Sequence, residues 1–259
     1  MNLSLFDTHA HLDDEQFDVD RADVVVRAEQ VGVETIVVAG TTLAASRKCV
    51  ELAHQFEFLR AAVGIQPNYV AEALSEDWDE IVRLVDQVNV VALGETGLDR
   101  HWDFSPFELQ QDYFDRHLRL SQQRSLPFVV HMRDCDEDIL VMLREAHARG
   151  PLQGVMHSFT GTSEMAAECV AMGLYASFAG MVTFKKSDSL RQVAATIPAE
   201  RILIETDSPY LSPHPVRGER RNEPANLVHT ARCLAEARGQ TPEQFATQTT
   251  ANAQRLFGM

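Results

Sequence analysis

The sequence predicts a (β/α)8 barrel, and three observations lead there. Short runs of β-branched or apolar residues recur along the whole chain. The stretches between them carry helical apolar spacing. The length, 259 residues, suits a closed barrel of about 250 residues. The first run is Leu3–Thr8, followed by Glu34–Ala39, Leu59–Ile65, Val90–Leu93, Pro127–His131, Gly154–His157, Tyr175–Ala179 and Arg201–Glu205. Several are almost continuously apolar, such as TIVVA and PFVV, as expected of parallel strands covered on both faces. Among the intervening stretches, Trp78–Val88 sets Trp78, Ile81, Val82 and Val85 on one face. Phe107–Gln123 carries Phe107, Phe114, Leu118 and Ser121 along it. Asp134–Arg149 turns Ile139, Leu140 and Leu143 inward and is stopped by Gly150 and Pro151. The last helices are Pro224–Arg238 and Pro242–Phe257, after a proline-rich loop over Ser208–Glu223. Alternating strands and helices imply a parallel sheet, and eight such units imply closure. The whole of 1–259 reads as one domain.

Composition narrows the function. There are 23 Lys and Arg against 38 Asp and Glu, a formal charge of −15. That argues against a protein that coats nucleic acid with a broad basic face, but not against an enzyme gripping a few phosphates in one metal-loaded cleft. Cys49, Cys135, Cys169 and Cys233 are far apart and form no C-x-x-C pair, so free buried thiols in a reducing compartment are expected. No segment has the build of a signal peptide, and no apolar run reaches membrane-spanning length. A cytoplasmic protein with no membrane partner is the expectation, and no obligate protein partner is readable.

The unusual residues gather at one end of the predicted strands. His9 and His11 follow the first strand in FDTHAH; two apart, they can point the same way. Glu95 ends the fourth strand in ALGETGLD, His131 the fifth in PFVVHMR, His157 the sixth in GVMHSF and Asp207 the eighth in ILIETDSP. In barrel enzymes that rim holds the active site. By contrast His54, His117, His147 and His229 fall in helical stretches and read as packed or solvated. Four imidazoles and two carboxylates converging on one cavity would be costly without cations. Six ligands exceed a tetrahedral catalytic site and suit two metals roughly 3.5–4 Å apart. His9, His11 and Asp207 would hold one, His131 and His157 the other, with Glu95 as the shared carboxylate. A metal-bridging hydroxide, its pKa lowered toward ~7, would be the nucleophile, and Asp207 could accept its proton. Glu95 and Asp207 are thus the catalytic candidates. Four imidazoles favour Zn2+, Mn2+ or Ni2+ over Mg2+, which prefers oxygen ligands.

These motifs resemble the TatD family of metal-dependent deoxyribonucleases, among the amidohydrolase-like barrels. The resemblance rests on FDTHAHL, GETGLD, HMR, HSFTG, ETDSPYL and RGERRNEP, and spans essentially the whole chain. It implies a metal-dependent phosphodiesterase on DNA that trims 3′ ends, with Mg2+-supported activity and metal residues at His9, His11, Glu95, His131, His157 and Asp207. One position departs: the family usually has a His in G-[IVL]-H-P, where this chain has Gln66 in GIQPNYV. Gln can donate to a phosphate oxygen but cannot shuttle a proton.

For substrate contacts, Arg100, Arg133, Lys185, Lys186, Arg217, Arg220 and Arg221 lie in or just after strand-end loops. Solvated charge is the reading for Lys185 and Lys186. Arg133, two beyond His131, can face the cavity, since Arg forks bind phosphate in bidentate fashion. The resemblance turns Arg217 and Asn222 toward function, so the substrate-binding candidates are Gln66, Arg133, Arg217 and Asn222. Glu205 points inward but deeper, with a supporting role. Trp102 and Phe104 could stack on bases, although loop aromatics more often cover a site or pack on a neighbour. The partner is then a nucleic acid: DNA, or RNA or tRNA. Two other functions remain open: hydrolysis of an amide, a lactone or an aminoacyl-tRNA ester in the same barrel, and a non-catalytic metal-binding scaffold.

Overall fold

The computed structural model describes residues 3–219 and 221–259. The chain order is β1 (Leu5–Ala10), α1 (Arg21–Gln30), β2 (Val33–Ala39), α2 (Leu43–Gln55), β3 (Leu59–Val63), α3 (Asp77–Leu84), β4 (Val90–Asp99) and α4 (Phe107–Arg124). It continues with β5 (Phe128–Arg133), α5 (Asp136–Arg149), β6 (Gly154–Met156), α6 (Ser163–Ala171), β7 (Tyr175–Phe178), α7 (Asp188–Thr196), β8 (Ile202–Ile204), α8 (Leu227–Ala237) and α9 (Pro242–Phe257). All eight strands join one parallel sheet in sequence order, as the alternation predicted. No helix among the described residues is long and apolar enough to cross a membrane.

Two apolar layers hold the barrel. Between strands and helices lies a large cluster built on side chains such as Leu5, Ile36, Val38, Leu59, Leu93, Phe128 and Ile204. Inside the barrel lie Phe6, Val37, Ala62, Ala92, Val129, Val155, Tyr175 and Leu203, joined by Leu256 and Phe257 of α9. Phe257 stacks on Phe6 at 5.7 Å, so α9 plugs the lower mouth. Above this floor Thr8 and Ser177 are hydrogen-bonded at 3.0 Å, and above them lie the polar side chains of the upper rim.

The seam between β1 and β8 is closed by polar groups. Thr8 Oγ1 donates to Ile204 O at 3.1 Å. Asp7 Oδ2 accepts from Thr206 Oγ1 at 2.6 Å and its Oδ1 from Thr206 N at 2.9 Å. Asp207 N donates to His9 O at 2.9 Å and His11 N to Ser208 O at 2.7 Å. The bonds that close the barrel therefore also set the spacing of His9, His11 and Asp207. Asp207 itself has φ 54°, a left-handed conformation that costs a non-glycine residue of order 1–3 kcal/mol and clusters at functional sites.

Most strand ends shift by one or two residues from expectation, β5 running on to Arg133 past His131, and two differences bear on the site. β1 starts later and runs through His9 to Ala10, so His9 lies within the strand rather than after it. β4 does not stop at Leu93 but continues to Asp99, pairing Thr96, Gly97, Leu98 and Asp99 with Val130, His131, Met132 and Arg133. Gly94 and Gly97 interrupt the apolar run and hide this extension from a pattern reading. Gly97 is there for room: it has φ 136°, and a Cβ on it would sit 2.0 Å from His131 O. Only glycine lets β4 and β5 approach so closely beside Glu95 and His131. Gly97→Ala should therefore destabilise the protein by at least about 2 kcal/mol and reduce metal retention. Thermal melting and metal content of the variant check this; a wild-type melt with full metal content would show that the close approach is not required.

Candidate metal centre

The rim side chains meet at the floor of an open cavity of about 930 Å³ lined by His11, Glu95, His131, His157 and Asp207, with His9 buried behind them. His9 Nε2 and His11 Nε2 lie 3.1 Å apart. Glu95 Oε2 is 3.6 Å from His9 Nε2 and 3.5 Å from His11 Nε2. Asp207 Oδ1 is 3.7 Å and 3.5 Å from the same two nitrogens. The other oxygen of Glu95 faces the opposite way: Oε1 is 2.7 Å from His131 Nδ1 and 3.3 Å from His157 Nε2. One carboxylate thus divides its two oxygens between two groups of imidazoles. The nitrogen and oxygen atoms of His9, His11 and Asp207 lie within 4.8 Å of one another, as do those of His9, Glu95 and His157.

The far side of the rings shows what belongs in the middle. His11 Nδ1 lies 2.9 Å from Ala39 O; a carbonyl only accepts, so that nitrogen carries the proton. His157 Nδ1 faces Glu205 Oε1 at 3.1 Å and His131 Nε2 faces Asp99 Oδ2 at 2.9 Å. Each outward nitrogen therefore donates to an acceptor, and each inward nitrogen of a neutral ring presents a lone pair. Histidines that bind metals are held in this way, with the second nitrogen donating to a carboxylate or carbonyl. The lone pairs of these three rings and the two carboxylates then converge as acceptors, and a divalent cation fits among them.

The acid–base balance agrees. Burial alone would lower the pKa of His11, but Asp207 and Glu95 outweigh it and hold it up at about 9. Burial likewise opposes protonation of His131 and His157; Asp99 and Glu95 raise the first, Glu95 and Glu205 the second. Burial would raise Glu95 and Asp207, yet the surrounding imidazoles keep both below the ordinary carboxylate range. Without a cation, protons supply the missing positive charge.

Supporting residues appear that the motif reading did not single out. Asp99 is buried, and its Oδ2 bonds both His131 and Asn68 Nδ2, the latter at 3.1 Å. Its Oδ1 accepts from the N–H groups of His101 and Trp102 at 2.8 and 3.0 Å. Glu95 and Asp99 are four apart on one strand, so reading β4 through its glycines would have set them on one face. Glu205 has the supporting place its position suggested: fully buried, against His157 and Ser158 N.

Of the substrate-contact candidates, Gln66 and Arg133 line the cavity and Arg217 and Asn222 do not. Gln66 Oε1 accepts from Asn68 N at 2.9 Å, leaving its amide N–H groups for the cavity. Asn222 is fully buried. Its Nδ2 donates to Thr206 O and Tyr210 O, and its Oδ1 accepts from Glu223 N and Asn226 Nδ2. It holds the loop that carries Asp207 and has no group left for a substrate. Arg217 is exposed, with its guanidinium 4.0 Å over the Phe184 ring. Arg100 is paired with Asp138, and Arg221 with Asp20; Arg220 lies outside the described residues. Among the helical histidines, His117 is packed, accepting from Ile65 N and bonding Tyr113 O. Cys49, Cys135 and Cys169 are buried free thiols, while Cys233 is half-buried.

A family model for TatD-related DNases matches residues 6–258. The chain belongs to that family. It is 43% identical over 253 residues to the uncharacterized metal-dependent hydrolase YabD of Bacillus subtilis, covering 98% of each chain. It is 37% identical over 259 residues to the 3′-5′ ssDNA/RNA exonuclease TatD of Escherichia coli K12, covering 98% of this chain and 99% of that one. The crystal structure of the TatD homolog YjjV from E. coli superposes with a TM-score of 0.92 over all of both chains at 28% identity. A lactonase from Deinococcus radiodurans shares the fold alone, at 17% identity and a TM-score of 0.67. Like its TatD relatives, this chain is a metal-dependent hydrolase of ester bonds.

Because protons hold the place of the cation, metal binding should release them. His11, up at about 9, must lose its inward proton, so metal affinity should rise as pH climbs from 6 toward 9. Calorimetry in buffers of different ionisation enthalpy checks this. Affinity that is flat with pH, with no proton released, would contradict it.

Proposed function

We propose that this TatD-family hydrolase removes nucleotides from the 3′ ends of single-stranded nucleic acid, using two divalent cations. The observation that carries the reading is Glu95, whose two oxygens face two separate imidazole groups at the floor of the cavity. His9, His11 and Asp207 would hold one ion, His131 and His157 the other, and Glu95 both. Bound there, such ions supply Lewis acidity to a phosphoryl oxygen and acidify a water molecule. The donor set suits Zn2+ or Mn2+, and the family resemblance adds Mg2+. Asp207, its carboxyl kept ionised by His11, His157 and His9 against burial, would accept the proton of the attacking water.

Among the described residues, Arg133 is the sole Lys or Arg lining the cavity, and its fork would take a phosphate next to the one being cut. Gln66 would donate an amide N–H to a phosphate oxygen. The names of the TatD relatives, 3′-5′ ssDNA/RNA exonucleases, support the substrate class and the direction. The buried free thiols agree with a cytoplasmic, reducing setting.

A second reading follows from Gln66 itself. Its amide hydrogen-bonds a carbonyl as readily as a phosphate, so an aminoacyl-tRNA ester or a lactone could take the same place. The purified protein with Mg2+, Mn2+ or Zn2+ should shorten a 5′-labelled single-stranded oligonucleotide stepwise from its 3′ end. Failure on every nucleic acid, with metal-dependent hydrolysis of a charged tRNA or a lactone, would replace the nuclease reading by the second. Gln66→His should raise kcat on the oligonucleotide about tenfold, within the usual contribution of general acid catalysis, with little change in KM. Unchanged kcat would mean that Gln66 only shapes the strand end.

A further inference from the structure

Every exposed Phe, Tyr or Trp among the described residues lies at one place. Tyr69, Trp102, Phe104 and Tyr210 are 39%, 43%, 61% and 52% exposed, and all four line the cavity mouth. Surface aromatics scattered singly are ordinary; a full set gathered round one cleft marks a binding surface.

The mouth is not uniform. The loops after β1 and β3 contribute Asp13, Asp14 and Glu72 to its wall, while the loop after β4 contributes Trp102 and Phe104 and the end of β5 contributes Arg133. A polyanion is repelled from the first side and drawn to the second. There Trp102 and Phe104 are stacked, rings 5.3 Å apart and 6° from parallel, and the Arg133 guanidinium lies 5.6 Å from the Trp102 ring. Asp103, between the two aromatics, is not among the lining residues.

The pair is held in place. Asp99 Oδ1 accepts the N–H groups of His101 and Trp102, and His101 Nδ1 bonds Asp134 Oδ2 at 3.0 Å. His101 also packs edge-on to Trp102 at 4.8 Å. The same Asp99 carboxylate orients His131, so one residue fixes the aromatic loop relative to the floor of the site.

We propose that the stacked Trp102–Phe104 pair, with Arg133 beside it, is the platform on which bases of a single strand stack as its 3′ end enters the cavity. This deepens the nuclease reading and rests on it. Aromatic faces accept any base, so the platform is indifferent to sequence. A duplex keeps its bases stacked inside and offers the platform none, so single strands are selected. Arg133 supplies the cation that the adjacent backbone phosphate requires.

The test uses the full-length protein with Mn2+ and a ten-residue oligothymidylate, made with phosphorothioate linkages for binding and phosphodiester linkages for turnover. Trp102→Ala with Phe104→Ala should weaken binding about tenfold or more, as expected for loss of stacking, and raise KM similarly with kcat within about twofold. An abasic strand of the same length should bind wild type and variant equally weakly. Trp102→Phe should restore most of the affinity. In wild type, Trp102 fluorescence should change on adding the base-bearing strand and not the abasic one. Equal binding by wild type and double variant would overturn the platform while leaving the nuclease reading intact if the wild type still cleaves. An equal loss on the abasic strand would overturn it too, showing a shape or charge effect in place of stacking. No binding or cleavage of any strand by wild type would remove both readings together.

Discussion

Everything at the upper rim depends on one electrostatic constraint: acceptor atoms face acceptor atoms. Three imidazoles are turned by Ala39 O, Asp99 and Glu205 so that their remaining nitrogens look inward, toward two carboxylates that the imidazoles themselves keep ionised. Such a cluster cannot be held together by hydrogen bonds among its own neutral members. It needs positive charge, and a buried site satisfies that need most completely with divalent ions. The perturbed pKa values follow from that arrangement, and the hydrolytic chemistry uses it.

The barrel supplies the geometry without flexible loops. His9 is on β1, Glu95 and Asp99 are on β4, and His131 is on β5, where neighbouring backbone is fixed by the sheet. Residues after β6 and β8 are tied back by Glu205 to Ser158 N and by His9 O to Asp207 N. Asp99 then extends the order outward: the carboxylate that holds His131 also anchors the loop bearing Trp102. A substrate strand lying on that loop would be registered against the floor through one residue. Seen this way, the acidic surface is no obstacle to a polyanionic substrate. It confines attraction to the side where Arg133 and the aromatics stand.

Much of this was legible in the sequence, for physical reasons. Buried parallel strands need continuous apolar runs, and all eight showed. Their position at the C-terminal ends of the runs, not their type, singles out His9, His11, Glu95, His131, His157 and Asp207, and the structure brings all six together. What failed depended on information that letters do not carry. β4 was cut short at Leu93 because glycine reads as a break, whereas Gly97 is what allows the strand to continue against His131. Asp99 was hidden by the same break. Asn222 looked like a substrate contact beside three arginines, but its amide is consumed by four hydrogen bonds within the loop. Trp102 and Phe104 could equally have been packed inward; only the fold shows them exposed at the mouth.

The account's central claim is that Glu95 is shared between two cations. Crystals grown with Mn2+ and measured at the manganese absorption edge test it directly. The account predicts two anomalous peaks roughly 3.5–4 Å apart on either side of the Glu95 carboxylate, one against His9, His11 and Asp207 and the other against His131 and His157. A single peak, or two peaks of which Glu95 touches only one, would contradict it.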